Sequence, residues 1–217
     1  MIFCKHGKFI IFKQKVGTME FDSIKKRKTI RKFKNLSIER EDILNLIEAA
    51  IEAPSAHNFQ PWEFILIDSK DIKGKLSKKM AATWQTNLKK DGTPSSEIKK
   101  RIALSKERIN NAPFIVIPCF NKNKVETYGD ERDNAEYIMG VQSVALASQN
   151  ILLRATEMKL GVLWLCAPLF CPEDMQDVLD IPSNIIPQAM LIVGIPDENP
   201  IKPRRRALKD VIHYNGW

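Results

Sequence analysis

The sequence predicts an α+β fold, and three observations carry that prediction. Short apolar, strand-like runs stand at residues 63–68, 113–120, 162–167 and 189–195. Between them lie amphipathic stretches of unequal length with helical period. Strands and helices alternate irregularly, without the long β-α-β-α series that a doubly wound parallel sheet requires. A chain of 217 residues buries roughly 70% of its unfolded surface, so a substantial core is expected. Its 44% hydrophobic and 28% charged residues match a globular chain and not a disordered one.

In chain order, residues 1–18 show no period that continues into residue 19 and beyond, and they are expected to form a disordered extension, leaving 19–217 as a single domain. A short helix is predicted from Phe21 into the basic run at 25–28, with Asp22 as its cap. Ser37 is a second N-cap candidate, succeeded by acids in the first turn and apolar residues at Ile43, Leu46, Ile47, Ala50 and Ile51, with Pro54 as the stop. After the strand at 63–68, residues 71–80 read as a surface helix. Residues 81–112 are polar and mixed, broken at Asp91-Gly92-Thr93-Pro94 and continued by a charged helix over 96–110, and this segment is the predicted lid. The run at 113–120 reads as a buried strand in which Pro118 belongs near an edge or bulge. Residues 132–158 have apolar side chains on nearly every face and predict a central, buried helix. Between the last two strands Pro172 starts a short helix and Asp180 ends it.

The formal net charge is +8, yet eleven of the 34 Lys and Arg fall in residues 1–34, opposed there only by Glu20 and Asp22. The remainder of the chain is close to neutral, which disfavours a nucleic-acid-binding face spread over the domain. An alternative in which the basic N-terminal arm binds nucleic acid predicts salt-dependent affinity that disappears on removing residues 1–18. The longest apolar run, 112–120, is far below the roughly 20 residues that cross a bilayer, and Lys13 interrupts the N-terminal apolar stretch before it makes a signal peptide. The four cysteines contain no C-x-x-C, and the three histidines are far apart in sequence. No metal site is expected, and a cytoplasmic chain with reduced thiols is.

No two of the nine glycines are separated by one residue, so G-x-G-x-x-G is absent, and no Gly precedes a Lys-Ser or Lys-Thr pair. A phosphorylated cofactor must then be held by side-chain cations. In Arg27-Lys28-Thr29-Ile30-Arg31, guanidinium groups four residues apart with a hydroxyl between them can surround a phosphate dianion, although a solvated basic helix end has the same composition. Residues 202–206 form a second basic cluster. The loop Pro54-Ser55-Ala56-His57-Asn58-Phe59-Gln60-Pro61-Trp62 sets two amides, a hydroxyl and an indole between a helix end and a strand. Amides can read the donor and acceptor edge of a planar heterocycle, though the same residues could make no more than a rigid loop.

Together with Gln149-Asn150-Ile151-Leu152-Leu153 and Leu160-Gly161-x-x-Trp164, these motifs resemble the FMN-dependent nitroreductase family over about residues 20–213. The resemblance implies a three-layer α+β sandwich of mainly antiparallel sheet flanked by helices, in an intertwined homodimer with two FMN sites at its interface. It also implies ping-pong hydride transfer from NAD(P)H through flavin N5 to a small-molecule acceptor such as a nitroaromatic or quinone; from the charge distribution and the short apolar runs, no nucleic acid or membrane partner is expected. By position, Arg27, Lys28, Thr29 and Arg31 would hold the phosphate and ribityl chain, joined from the tail by Arg204 or Arg205. Ser55, Asn58 and Gln60 would reach the isoalloxazine from the second subunit. Leu165, Cys166 and Ala167 fall where backbone amides approach N5 and O4, and Cys166 stands where relatives often carry a small residue or an acid. No catalytic side chain is implied, because the flavin carries the hydride. His57 reads as a proton donor or a structural residue, and Trp84 as a substrate-pocket wall or part of the core. Scattered identities, among them Tyr128-x-Asp130-Glu131-Arg132 and Phe170-Cys171, are similar to the flavin reductase domain associated with the γ-glutamyl ligase of coenzyme F420, implying a dehydro-coenzyme F420-0-like acceptor. The alternative from the same fold is a flavin-binding or flavin-cleaving module resembling the benzimidazole-forming flavin destructase.

Overall fold

The computed structural model describes residues 22–217, so the expected extension at 1–18 and the expected helix start at Phe21 lie outside the described residues. Five strands form one sheet: β1 (Trp62–Ile67), β2 (Phe114–Asn121), β3 (Gly161–Leu165), β4 (Ile185–Pro187) and β5 (Met190–Gly194). Their order is β1-β2-β5-β3, with β4 also paired to β2, and every pairing is antiparallel.

The alternation of strand side chains divides the core into two layers. Phe114, Val116 and Phe120 of β2, with Val162, Leu191 and Val193, face α2 (Arg40–Ile51) and α5 (Arg132–Glu157). Ile115, Ile117 and Cys119, with Leu163, Met190 and Ile192, face the other way, against α3 (Lys70–Lys90), α4 (Ser95–Asn110) and α6 (Pro172–Leu179). The result is helix, sheet, helix, the predicted three-layer α+β sandwich. The continuous apolar run of β2 reflects burial on both faces. Pro118 is tolerated in this central strand because it faces the break between β4 and β5, where Gln188 N–H donates to the Pro118 carbonyl at 2.8 Å.

Several expectations need correction. The short first helix, α1 (Asp22–Lys26), ends before residues 27 and 28, and Asp22 lies in its first turn, paired with Lys26. Helix α2 begins at Arg40 behind Glu39 and not behind Ser37, without any side-chain cap. Helix α3 does not stop near Met80. Ser69 Oγ accepts from Ile72 N–H at 3.4 Å at its start, and buried Met80, Ala81 and Leu88 carry it to Lys90, with Gln85, Thr86, Lys89 and Lys90 exposed. It closes where expected, with Gly92 at φ 71° in the left-handed region and Thr93 N–H donating to Leu88 O. Strand β4, only three residues long, is too short to leave a period in the sequence. Helix α5 is buried along one side, where Gly140 lets the Phe120 ring lie so close that a Cβ would fall 2.3 Å from it. Its opposite side is not buried: Ile138 and Leu146 are each 46% exposed. One chain supplies layers for only one face of this helix.

Candidate active site

The strand-like segment Thr29–Lys34 is the first wall. Ile30 N–H donates to Val162 O at 3.1 Å, Lys34 N–H to Ile195 O at 2.9 Å, and Asp197 N–H returns to Lys32 O at 3.0 Å. Two glycines opposite each other in the β3–β5 register make this crossing possible. A Cβ on Gly161 would lie 2.7 Å from Ile30, and one on Gly194 2.7 Å from Phe33 and Pro113. The apolar residues of the segment thereby point into the sheet and the basic ones outward. Thr29 bridges to Val162 through its backbone.

The cations of this segment diverge. Lys28 Nζ donates to Asn199 Oδ1 at 2.7 Å and lines a cleft of ≈ 390 Å³ with Thr156 and Glu198. Arg31 lines another, of ≈ 480 Å³, with Lys32, Leu163 and Arg108. The Glu198 carboxylate is engaged by the backbone N–H groups of Arg31 and Lys32. The tail folds back here: half-buried Lys202 donates to Ile24 O at 3.0 Å and Lys25 O at 3.1 Å. Desolvation, together with the like charges of Arg27 and Arg205, lowers its pKa below the ordinary lysine value. Arg27 and Arg205 are thus the two arginines whose charge acts on Lys202. Arg204, Arg205 and Arg206 are all exposed; Arg205 Nη1 donates to Pro203 O at 3.3 Å, and Arg206 is held by the Asp210 carbonyl.

The second wall is the loop before β1. His57, Asn58 and Gln60 have φ of 49°, 56° and 49°, three non-glycine residues within four positions in a region L-residues rarely occupy. The conformation is held by Ser55 Oγ accepting from Gln60 N–H at 3.0 Å, Ser143 Oγ accepting from Ala56 N–H at 3.3 Å, and Asn58 N–H donating to Ser55 O at 3.1 Å. Gln60 Nε2 donates to Asn58 Oδ1 at 3.2 Å, so the two amides form one exposed polar edge. The His57 ring lies against Phe59, centroids 5.2 Å apart, and is exposed. Strain of this kind clusters at functional sites, because the surrounding contacts must over-determine it.

The third region is a cleft of ≈ 470 Å³ between α3 and α4, floored by the end of β3 and the turn Ala167–Phe170. It contains Trp84, Leu165 and Ala167. Trp84 is 39% exposed, a pocket wall and not core. Thr83 Oγ1 donates to Asp174 Oδ2 at 2.5 Å, tying α3 to α6 beside the cleft. Sequence reasoning missed Arg108 and Phe170 as site residues. The available signal was a helical stripe at Arg101, Leu104, Ser105 and Arg108, which a search for purely apolar periods passes over. Cys166, at the entry to the turn, is exposed. Burial pushes the Cys119 thiol up to about 12, and burial with the nearby Asp174 pushes Cys171 up to about 11. Among the described residues no cluster of three or more His, Cys, Asp or Glu could hold a metal ion, and no helix is long and apolar enough to cross a membrane.

A family model described as the nitroreductase family matches residues 24–195. The chain is similar to an iodotyrosine deiodinase of Thermotoga neapolitana, 28% identical over 201 residues covering 91% of this chain and 98% of the relative. It is also 28% identical, over 94% of its length and 91% of the relative, to a Methanothermobacter thermautotrophicus protein named provisionally as an NADH dehydrogenase/NAD(P)H nitroreductase. Among solved structures, a BluB-like flavoprotein from Clostridium difficile 630 superposes with a TM-score of 0.74 at 25% identity, covering 90% of this chain and 98% of that one. An iodotyrosine deiodinase bound to FMN and 3-iodo-L-tyrosine superposes at 0.72 with 26% identity, covering 91% and 99%.

Proposed function

Because the chain belongs to the nitroreductase family, we propose that it is an FMN-dependent oxidoreductase taking electrons from NAD(P)H and passing hydride to a small conjugated acceptor: a nitroaromatic, a quinone or a dehydro-coenzyme F420-0-like molecule. FMN supplies the hydride chemistry at its N5 when bound. The residues present suit it. Lys202, Arg27 and Arg205 concentrate positive charge whose mutual repulsion a phosphate dianion relieves. Lys28, Thr29 and Arg31 on the adjoining segment would hold the phosphate and ribityl chain, and Leu165 and Ala167 at the cleft floor, with Cys166 between them in the chain, would meet the ring edge. The observation that carries the reading is the left-handed Ser55–Gln60 loop, where strain is spent on presenting the linked amides of Asn58 and Gln60 to something outside the chain.

The loop serves the flavin of a second copy. Two surfaces support a homodimer: the exposed stripe of α5 with Ile138 and Leu146, and a tail whose Ile201, Leu208, Tyr214 and Trp217 are 72% exposed or more. Exposed apolar side chains in such numbers mark surfaces made for a partner. The lid is the segment at about 81–112, the second half of α3 with α4, and His57 and Trp84 contact the acceptor. Anaerobic bleaching of the FMN-loaded protein by NAD(P)H, then reoxidation on adding a nitroaromatic or quinone, is the expected result. A protein that neither takes up FMN nor gains thermal stability from it overturns the proposal. Conversion of FMN itself would favour the flavin-cleaving reading instead. Sedimentation is expected to give the mass of a dimer.

A further inference from the structure

We propose that the cleft between α3 and α4 selects acceptors that carry a carboxylate on a planar aromatic ring, and that Arg108 is the residue that reads the carboxylate. This rests on the reading of the cleft as the acceptor site. Four residues of α4 at helical spacing, Arg101, Leu104, Ser105 and Arg108, turn toward the cleft, so two guanidinium groups seven residues apart share one wall. They are not equivalent. Arg101 is exposed and its Nε donates to Glu97 Oε1 at 2.8 Å. Arg108 is half-buried, and among the described residues no hydrogen bond or ion pair engages its guanidinium.

A half-buried cation that no acid pairs is an unmet demand, and it stands in a cleft walled by Trp84, Phe170, Met80 and Leu165, with Asn87 and Asp91 as further polar residues. The ring faces suit a flat conjugated body, and a volume of ≈ 470 Å³ accommodates one or two fused rings. The planar fork of one arginine matches a carboxylate with two parallel N–H···O bonds. A phosphate dianion fits less well, since Arg101 is already committed and the Asp91 carboxylate on the same cleft repels a dianion more strongly than a monoanion. Arg108 also borders the cleft that Arg31 and Lys32 line together with Glu107, Asp197 and Glu198, so it stands at the partition between the two cavities.

The experiment is calorimetric titration of the FMN-loaded protein with 2-naphthoate and with its uncharged analogue 2-naphthylmethanol. Naphthoate is expected to bind about ten- to a hundredfold more tightly, the range of a charge-assisted hydrogen bond. Arg108→Gln is expected to abolish that preference while leaving the affinity for naphthylmethanol where it was, and Arg108→Lys to keep only part of it. Equal binding of the two probes, binding of neither, or a preference that survives in Arg108→Gln overturns the assignment. Should Arg108→Gln fail to fold, a full preference retained by Arg108→Lys overturns it equally. FMN uptake is measured first on the same protein. Its failure sinks the proposed function, whereas uptake with no carboxylate preference sinks this assignment alone.

Discussion

In the loop from Ser55 to Gln60 the stabilising hydrogen bonds are local, with Ser143 as the one remote contributor, whereas the cleft between α3 and α4 exists only because two helices, a strand end and a turn meet around it. The loop holds three residues in a sparsely allowed conformation, so its shape depends on nearly every atom in it. The cleft is walled by ordinary helical faces, and single side chains there can change without moving the backbone. A site of this kind joins a rigid, strained part to a permissive one, which is a physical basis for one family keeping a cofactor while changing its acceptor.

The largest effect that would test this contrast is on the rigid side. Gly161→Val drives a side chain into Ile30, already only 2.7 Å from where a Cβ would stand. Overpacking of that kind costs about 1–3 kcal/mol, and the displaced Thr29–Lys34 segment is expected to lose FMN affinity by at least about tenfold, read by chemical denaturation and flavin titration. Asn58→Val places a β-branched residue at φ 56°. The expected loss is about 1–3 kcal/mol of stability together with weaker flavin uptake. An unchanged melting curve would show the loop to be less constrained than its hydrogen bonds indicate.

On the permissive side, Phe170 is 77% exposed. Phe170→Ala is expected to move stability by no more than about 0.5 kcal/mol while raising the KM for an aromatic acceptor severalfold. A stability loss as large as that of Asn58→Val would erase the distinction between the two regions. The smallest expected effect is chemical and carries no stability change. In a Cys4→Ser background at pH 8, iodoacetamide modifies exposed Cys166 alone, because Cys119 and Cys171 are buried and remain protonated thiols with pKa values raised to about 12 and about 11. Bound FMN is expected to slow the alkylation of Cys166, and mass spectrometry reads both outcomes.

Much of the fold was legible because its signals are local. The apolar run of β2, the breakers at Asp91–Pro94, Pro172 at a helix start and Asp180 at its end each act within a few residues, and each appears where expected. The failures are equally physical. Helix α3 runs ten residues beyond Met80 because Leu88 is buried by tertiary packing, which no count of polar residues at 81–87 reveals. Ser37 has the chemistry of a cap, yet the helix begins three residues later. The loop motif could be seen in the chain, but its left-handed backbone could not, since none of its members is a glycine.

From composition and spacing alone came the α+β class, the absence of a glycine-rich phosphate loop, the cationic segment at 27–31 and the amide loop before β1, all features carried by short stretches of chain. Folding in three dimensions settled matters that sequence distance conceals. Arg27 and Arg205 both act on Lys202, the paired glycines 161 and 194 clear a path for Ile30 and Phe33, and Arg108, unpaired among the described residues, lines one cleft with Trp84 and Phe170. These are relations among residues far apart along the backbone. Their energies depend on distance and burial, quantities that exist only once the layers have packed.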